Sequence, residues 1–154
     1  MTTWSSPVFT PERRRTLQAV VLRILPGTDG AGAAESAVAV AFERAMLHRS
    51  LRGLRPGIEM VLDLLESQAG QLYEREFSAC TSGEQDELLR RLEQDPNPGI
   101  RFVFRSLIAF SLEGLLGDPV HGGNRDFLGW EAIGLRAADM RSGLCRGARE
   151  GGSA

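Results

Sequence analysis

Ile100-Arg101-Phe102-Val103-Phe104-Arg105-Ser106-Leu107-Ile108-Ala109-Phe110-Ser111-Leu112-Glu113-Gly114-Leu115-Leu116 is the stretch on which the fold turns. It is apolar on nearly every side and is interrupted mainly by Arg101, Arg105 and Glu113. By composition it could be a pair of strands, but its length without a turn signal favours one helix. A helix that is apolar all round must be surrounded. The stretch is thus expected to be a central core helix, with contact to a second protein as the other way of hiding such a surface.

Towards the N-terminus the neighbouring segments have one apolar face each. Ser82 and Gln85 match a capping box that opens a helix containing Leu88, Leu89 and Leu92, and Asp95-Pro96-Asn97-Pro98-Gly99 ends it. Tyr73 and Phe77 form an i,i+4 pair in a shorter helix. Pro56 opens a helix in which Ile58, Val61, Leu62 and Leu65 make one stripe, with Glu59, Asp63 and Glu66 on the other side. Before it, about Ala34 to Leu51 reads as a helix whose Val38, Ala41, Phe42, Ala45 and Met46 can face a core, preceded by a small-residue loop from Gly27 to Gly32. The first helix starts at Thr10-Pro11-Glu12, with Thr10 as cap, carries Leu17, Val20, Val21, Ile24 and Leu25, and closes at Pro26-Gly27.

Towards the C-terminus, Gly117-Asp118-Pro119-Val120-His121-Gly122-Gly123-Asn124 is dense in turn-formers, and Gly129-Trp130-Glu131-Ala132-Ile133-Gly134 follows shortly after. A shaped loop is expected here. Trp130 would either lock this loop onto the core or anchor an interface. Beyond Met140 the chain is rich in Gly, Ser, Ala and Arg and is expected to fray or to order only on a partner.

The totals agree with one helical domain. A chain of 154 residues with 42% hydrophobic and 25% charged residues can bury a core without staples. A net charge of -2 gives no general attraction to nucleic acid. All 18 basic residues are arginine, so neither an internal Schiff base nor a P-loop lysine can be supplied. Cys80 and Cys145 signal neither a zinc knuckle nor a disulfide framework. No stretch approaches the roughly 20 apolar residues of a membrane helix, and Met1 to Pro11 lacks the pattern of an export signal.

Chemistry-bearing motifs are scarce. Gly30-Ala31-Gly32-Ala33-Ala34-Glu35 resembles a dinucleotide fingerprint only superficially, because its last glycine is missing and it follows a helix where that motif requires a strand. His48 and His121 belong to no spaced ligand motif, and no serine sits in a nucleophile elbow. His121 with Asp118 or Asp126 is the one cluster from which a free-standing enzyme could be built. Arg44, His48, Arg52 and Arg55 would share one face if the second helix continued that far, giving either a solvated stripe or a dock for an acidic surface.

The run Gly117 to Asn124, followed by Gly129-Trp130 and Ile133-Gly134, resembles the C-terminal signature of the gluconate 2-dehydrogenase subunit 3 family. The Thr10-Pro11-Glu12 start, the Ile24-Leu25-Pro26 helix end, the Gly/Ala loop and the apolar helix before the signature are similar to that family in the same order. His121 stands where members usually carry tyrosine, and the family's twin-arginine leader is missing. Arg13-Arg14-Arg15 is not that leader, because the apolar stretch after it is interrupted by Arg23.

The resemblance implies a small accessory subunit of a flavin-dependent sugar or sugar-acid dehydrogenase. In such complexes a large subunit of the glucose-methanol-choline oxidoreductase type holds FAD and performs the oxidation. The small subunit supports maturation, stability and often export. The expected architecture is all-α, about five or six helices in a compact bundle with a structured Gly-Gly-Asn/Gly-Trp loop. It would occupy residues 9–135, with 1–8 as an N-terminal extension and 136–154 as a flexible tail. No cofactor, metal or catalytic group is expected in this chain, and no nucleic acid or direct membrane insertion. His121, Gly122, Gly123, Asn124, Gly129, Trp130, Arg44, Arg52 and Arg55 are the residues expected to bind the flavoprotein partner or to shape the loop. A homo-oligomer outside a dehydrogenase complex is the further alternative. As written the chain would be cytoplasmic, or periplasmic if exported with a partner or if a leader is missing.

Overall fold

The structure, a computed structural model, describes residues 8–25, 32–49, 51–116, 124 and 130. Five α-helices and no strand are found among them: α1 (Pro11–Ile24), α2 (Gly32–Leu47), α3 (Arg55–Tyr73), α4 (Ser82–Glu93) and α5 (Pro98–Leu116). Short 3-10 turns at Arg52–Leu54 and Phe77–Ala79 lead into α3 and α4. The all-α bundle expected from the spacing is therefore what forms. The Gly27–Gly32 loop, except Gly32, and most of the C-terminal loop lie outside the described residues.

The start of α1 follows its sequence signals. Thr10 accepts the Arg13 N–H on its side chain at 3.3 Å, and Pro11 occupies the first turn, where a missing N–H costs nothing. The apolar stripes also meet as their periodicity dictates. Leu17, Val20 and Val21 of α1, Ile58, Val61, Leu62 and Leu65 of α3, and Leu88 and Leu92 of α4 are fully buried in one core. Phe42 of α2 meets Phe110 of α5 edge to face, with centroids 5.9 Å apart.

Helix α2 ends at Leu47, four residues before the expected stop at Leu51. Its inward face, Ala39, Phe42 and Met46, would continue through Arg49 and Gly53, which offer nothing apolar to bury. The backbone instead tightens, His48 N–H donating to Ala45 O at 2.9 Å and Leu51 N–H to His48 O at 3.0 Å.

Two further expectations are corrected. Tyr73 and Phe77 do not share a helix, because Glu74 closes α3 in the left-handed region at φ 55° and Phe77 lies wholly buried in the following turn. The cap of α4 is Thr81, not Ser82, and its partner is Glu84, not Gln85. Thr81 N–H donates to Glu84 Oε2 at 2.7 Å and Glu84 N–H returns to Thr81 Oγ1 at 3.4 Å. Gln85 is committed elsewhere, its Nε2 donating to the buried Phe77 carbonyl at 2.9 Å.

Helix α1 is fastened to its neighbours by arginines gripping carboxylates with two bonds each. Arg13 holds Asp63 of α3 at 2.8 and 2.7 Å, Arg14 holds Glu43 of α2 at 2.6 and 2.8 Å, and Arg23 holds Asp86 of α4 at 2.8 and 2.6 Å. Buried Thr16 donates to Glu66, whose other oxygen accepts the Phe77 N–H at 3.2 Å. The acidic side of α3 is thus a docking rail for α1.

Candidate interaction surface

Helix α5 is not surrounded as its composition suggested. Val103, Phe104, Leu107, Ser111 and Leu115 face the core, but Phe102 is 61% exposed, Leu112 40% and Leu116 36%. Ala109, Arg105 and Glu113 are also exposed. The apolar excess of α5 therefore leaves an open outer face on the bundle.

The last turn of any α-helix has carbonyls without intrahelical partners. In α5 two of these are met from the loop signature. Asn124 N–H donates to Gly114 O at 2.8 Å, and Trp130 Nε1–H donates to Leu116 O at 2.8 Å. Asn124 is 2% exposed and Trp130 8%. Asn124 has φ 41°, a left-handed backbone that asparagine tolerates better than most residues. Both residues thus fold back on the end of α5. His121, Gly122, Gly123, Gly129, Asp118 and Asp126 lie outside the described residues.

The expected arginine stripe does not form. Because α2 stops at Leu47, Arg44 stands at its end, Arg52 in the 3-10 turn and Arg55 in the first turn of α3. Arg55 is engaged within the fold, donating to Glu59 at 2.8 Å and to the Val8 carbonyl at 2.7 Å. Arg44, His48, Arg49 and Arg52 are exposed and make a basic corner, in which Arg52 donates to the Leu47 carbonyl at 3.4 Å.

The electrostatics are structural in character. Hydrogen bonds from Arg13 and Arg23 hold the Asp63 and Asp86 carboxyls below the ordinary aspartate range. Burial, with Glu84 nearby, pushes the Cys80 thiol up, away from the reactive thiolate. Among the described residues no group of three or more His, Cys, Asp or Glu side chains is placed to hold a metal ion, and no helix is long and apolar enough to cross a membrane. A groove between α4 and α5, about 220 Å³ and lined by Asp86, Leu89, Arg90, Glu93, Phe104 and Ile108, is smaller than typical ligand pockets.

Two features escaped the sequence. The arginine grips join residues far apart in the chain, and no local pattern announces them. The outer face of α5 could have been found from the phase of Phe102, Arg105, Ala109, Leu112 and Leu116, which recur every three to four residues.

Residues 11–136 match the family model described as gluconate 2-dehydrogenase subunit 3. No curated protein and no solved structure matches the chain.

Proposed function

The chain belongs to the gluconate 2-dehydrogenase subunit 3 family, and from that membership we propose that it is the non-catalytic small subunit of a flavin-dependent sugar or sugar-acid dehydrogenase. Its partner in this reading is a large subunit of the glucose-methanol-choline type that carries FAD and oxidises the substrate. The small subunit stabilises that partner or assists its maturation.

The family match over residues 11–136 is the observation that carries this. Two surfaces suit the role. One is the end of α5, where the buried signature residues Asn124 and Trp130 return. The basic corner of Arg44, His48, Arg49 and Arg52 can steer an acidic surface onto the bundle.

Co-expression with the large subunit tests the proposal. The two chains should co-purify, and the large subunit should be recovered soluble with bound flavin only when the small one is present. The small chain alone should be colourless. Charge reversal by Arg44→Glu together with Arg52→Glu should lower recovery of the complex without unfolding the small chain. A large subunit that loads flavin equally well without this chain, and never co-purifies with it, would remove the assignment.

A further inference from the structure

The outer face of α5 carries opposite charges and apolar side chains at equal distances on either side of Ala109. From Ala109 outward, Arg105 and Glu113 stand four residues to either side, and Phe102 and Leu116 stand seven residues to either side. All five are exposed. With a rise of 1.5 Å per residue, each charged residue lies about 6 Å along the axis from Ala109. A two-fold axis beside Ala109 would therefore bring Arg105 opposite Glu113 of a second copy, and Glu113 opposite Arg105 of that copy. The same operation sets Phe102 against Leu116 of the second copy.

We propose that α5 is the interface of a homodimer, two copies packing antiparallel through Phe102, Arg105, Ala109, Leu112, Glu113 and Leu116. The occupant follows from charge. Arg105 and Glu113 are too far apart along one helix to meet each other, since helical ion pairs need spacings of three or four residues. Neither takes part in an ion pair among the described residues. A second copy supplies the missing sign to both at once, as a self-complementary two-fold contact must. A partner of uniform charge could satisfy only one.

Size and satisfaction agree. Ala109 at the crossing point lets the two backbones approach closely, while Phe102 and Leu116 close the ends. Leu112 lands near Ser106 of the second copy. The Ser106 hydroxyl already donates to the Phe102 carbonyl of its own helix at 2.9 Å, so covering it leaves no donor unpaired. One helix face is a narrow interface, so the dimer is a reversible, concentration-dependent one. It leaves the basic corner formed by Arg44, His48, Arg49 and Arg52 outside the contact.

Sedimentation equilibrium of the full chain, with Arg105→Glu and Glu113→Arg variants, tests this. The wild type should dimerise with increasing concentration. Each single variant sets like charges against each other twice and should weaken the dimer about tenfold or more. Mixing the two single variants should restore dimers, because each then supplies the sign the other lacks. The double variant Arg105→Glu with Glu113→Arg should dimerise by itself. A wild type that stays monomeric at high micromolar concentration overturns the proposal. So do single variants that dimerise like the wild type, or single variants that stay apart when mixed. If the single variants instead lose only the flavoprotein subunit on co-expression, the face belongs to that partner and the homodimer is refuted.

Discussion

Gly57 and Val103 touch so closely that a β-carbon on the glycine would stand 2.8 Å from Val103 Cγ2. This contact sets how near the start of α3 comes to α5. Valine is branched at its own β-carbon and has few rotamers into which it can retreat. Gly57→Ala should therefore destabilise the domain by about 1–2 kcal/mol, the overpacking outweighing the gain in helix propensity. Val103→Ala in the same chain should relieve the crowding, so urea unfolding of the double variant should show less loss than the two single variants summed.

Acid should loosen α1. The Asp63 and Asp86 carboxyls are held below the ordinary value of 3.8, first by the hydrogen bonds from Arg13 and Arg23. A carboxyl depressed in the folded state contributes stability that is fully present above its unfolded pKa and is lost as pH falls through its folded one. The loss therefore begins near pH 3.8 and deepens below it. Asp63 is 55% exposed, so solvent screening keeps each pair to less than about 1 kcal/mol. Thermal midpoints measured from neutral to strongly acid pH should fall less steeply in Asp63→Asn/Asp86→Asn than in the wild type, from a lower start. Parallel curves would mean that these pairs do not contribute.

Trp130 combines burial with a donated hydrogen bond to the Leu116 carbonyl. Trp130→Ala should cost the isolated chain about 3–5 kcal/mol. Trp130→Phe keeps most of the packing and leaves that carbonyl to water, at about 1 kcal/mol. Denaturant titration of both variants checks the order. If the alanine variant is as stable as the wild type but fails to recover the flavoprotein subunit, the indole serves the interface and not the fold.

The two candidate caps of α4 are separable by substitution. Thr81→Ala should cost about 1 kcal/mol, because the Glu84 N–H loses its acceptor. Ser82→Ala should be close to neutral, since that side chain is exposed inside the first turn. Thermal unfolding of the two variants distinguishes the registers, and equal losses would contradict the Thr81 cap.

Legibility followed the range of the interaction. Ile58, Val61, Leu62 and Leu65 announce a buried stripe through spacing alone, and all four are buried. Thr10-Pro11 and Thr81-x-x-Glu84 are local signals too, yet at α4 two overlapping patterns competed. In the fold Gln85 meets the Phe77 carbonyl, a partner that the local sequence does not announce. At the end of α2 Leu51 looks like a continuation, while the face that packs inward runs out at Met46. On α5 the composition points inward all round, whereas the phase leaves Phe102 and Leu112 outside because the core reaches only one side. In the C-terminal signature, Asn124 and Trp130 could be recognised as special residues. Their partners, the Gly114 and Leu116 carbonyls, are fixed by three-dimensional placement.

The grips of α1 also carry a message about time. Arg14 waits for a carboxylate 29 positions ahead, Arg13 for one 50 ahead and Arg23 for one 63 ahead. During synthesis the first helix emerges with its arginines unanswered, and its apolar stripe has no complete core to enter until α4 and α5 have followed. Contacts so distant in sequence slow the search for the native state more than neighbouring-helix contacts do. A nascent chain cut off after α3 would hold an unfinished bundle with α1 gripped on two sides only, the third grip waiting for Asp86 of α4 and the core for the buried side chains of α5.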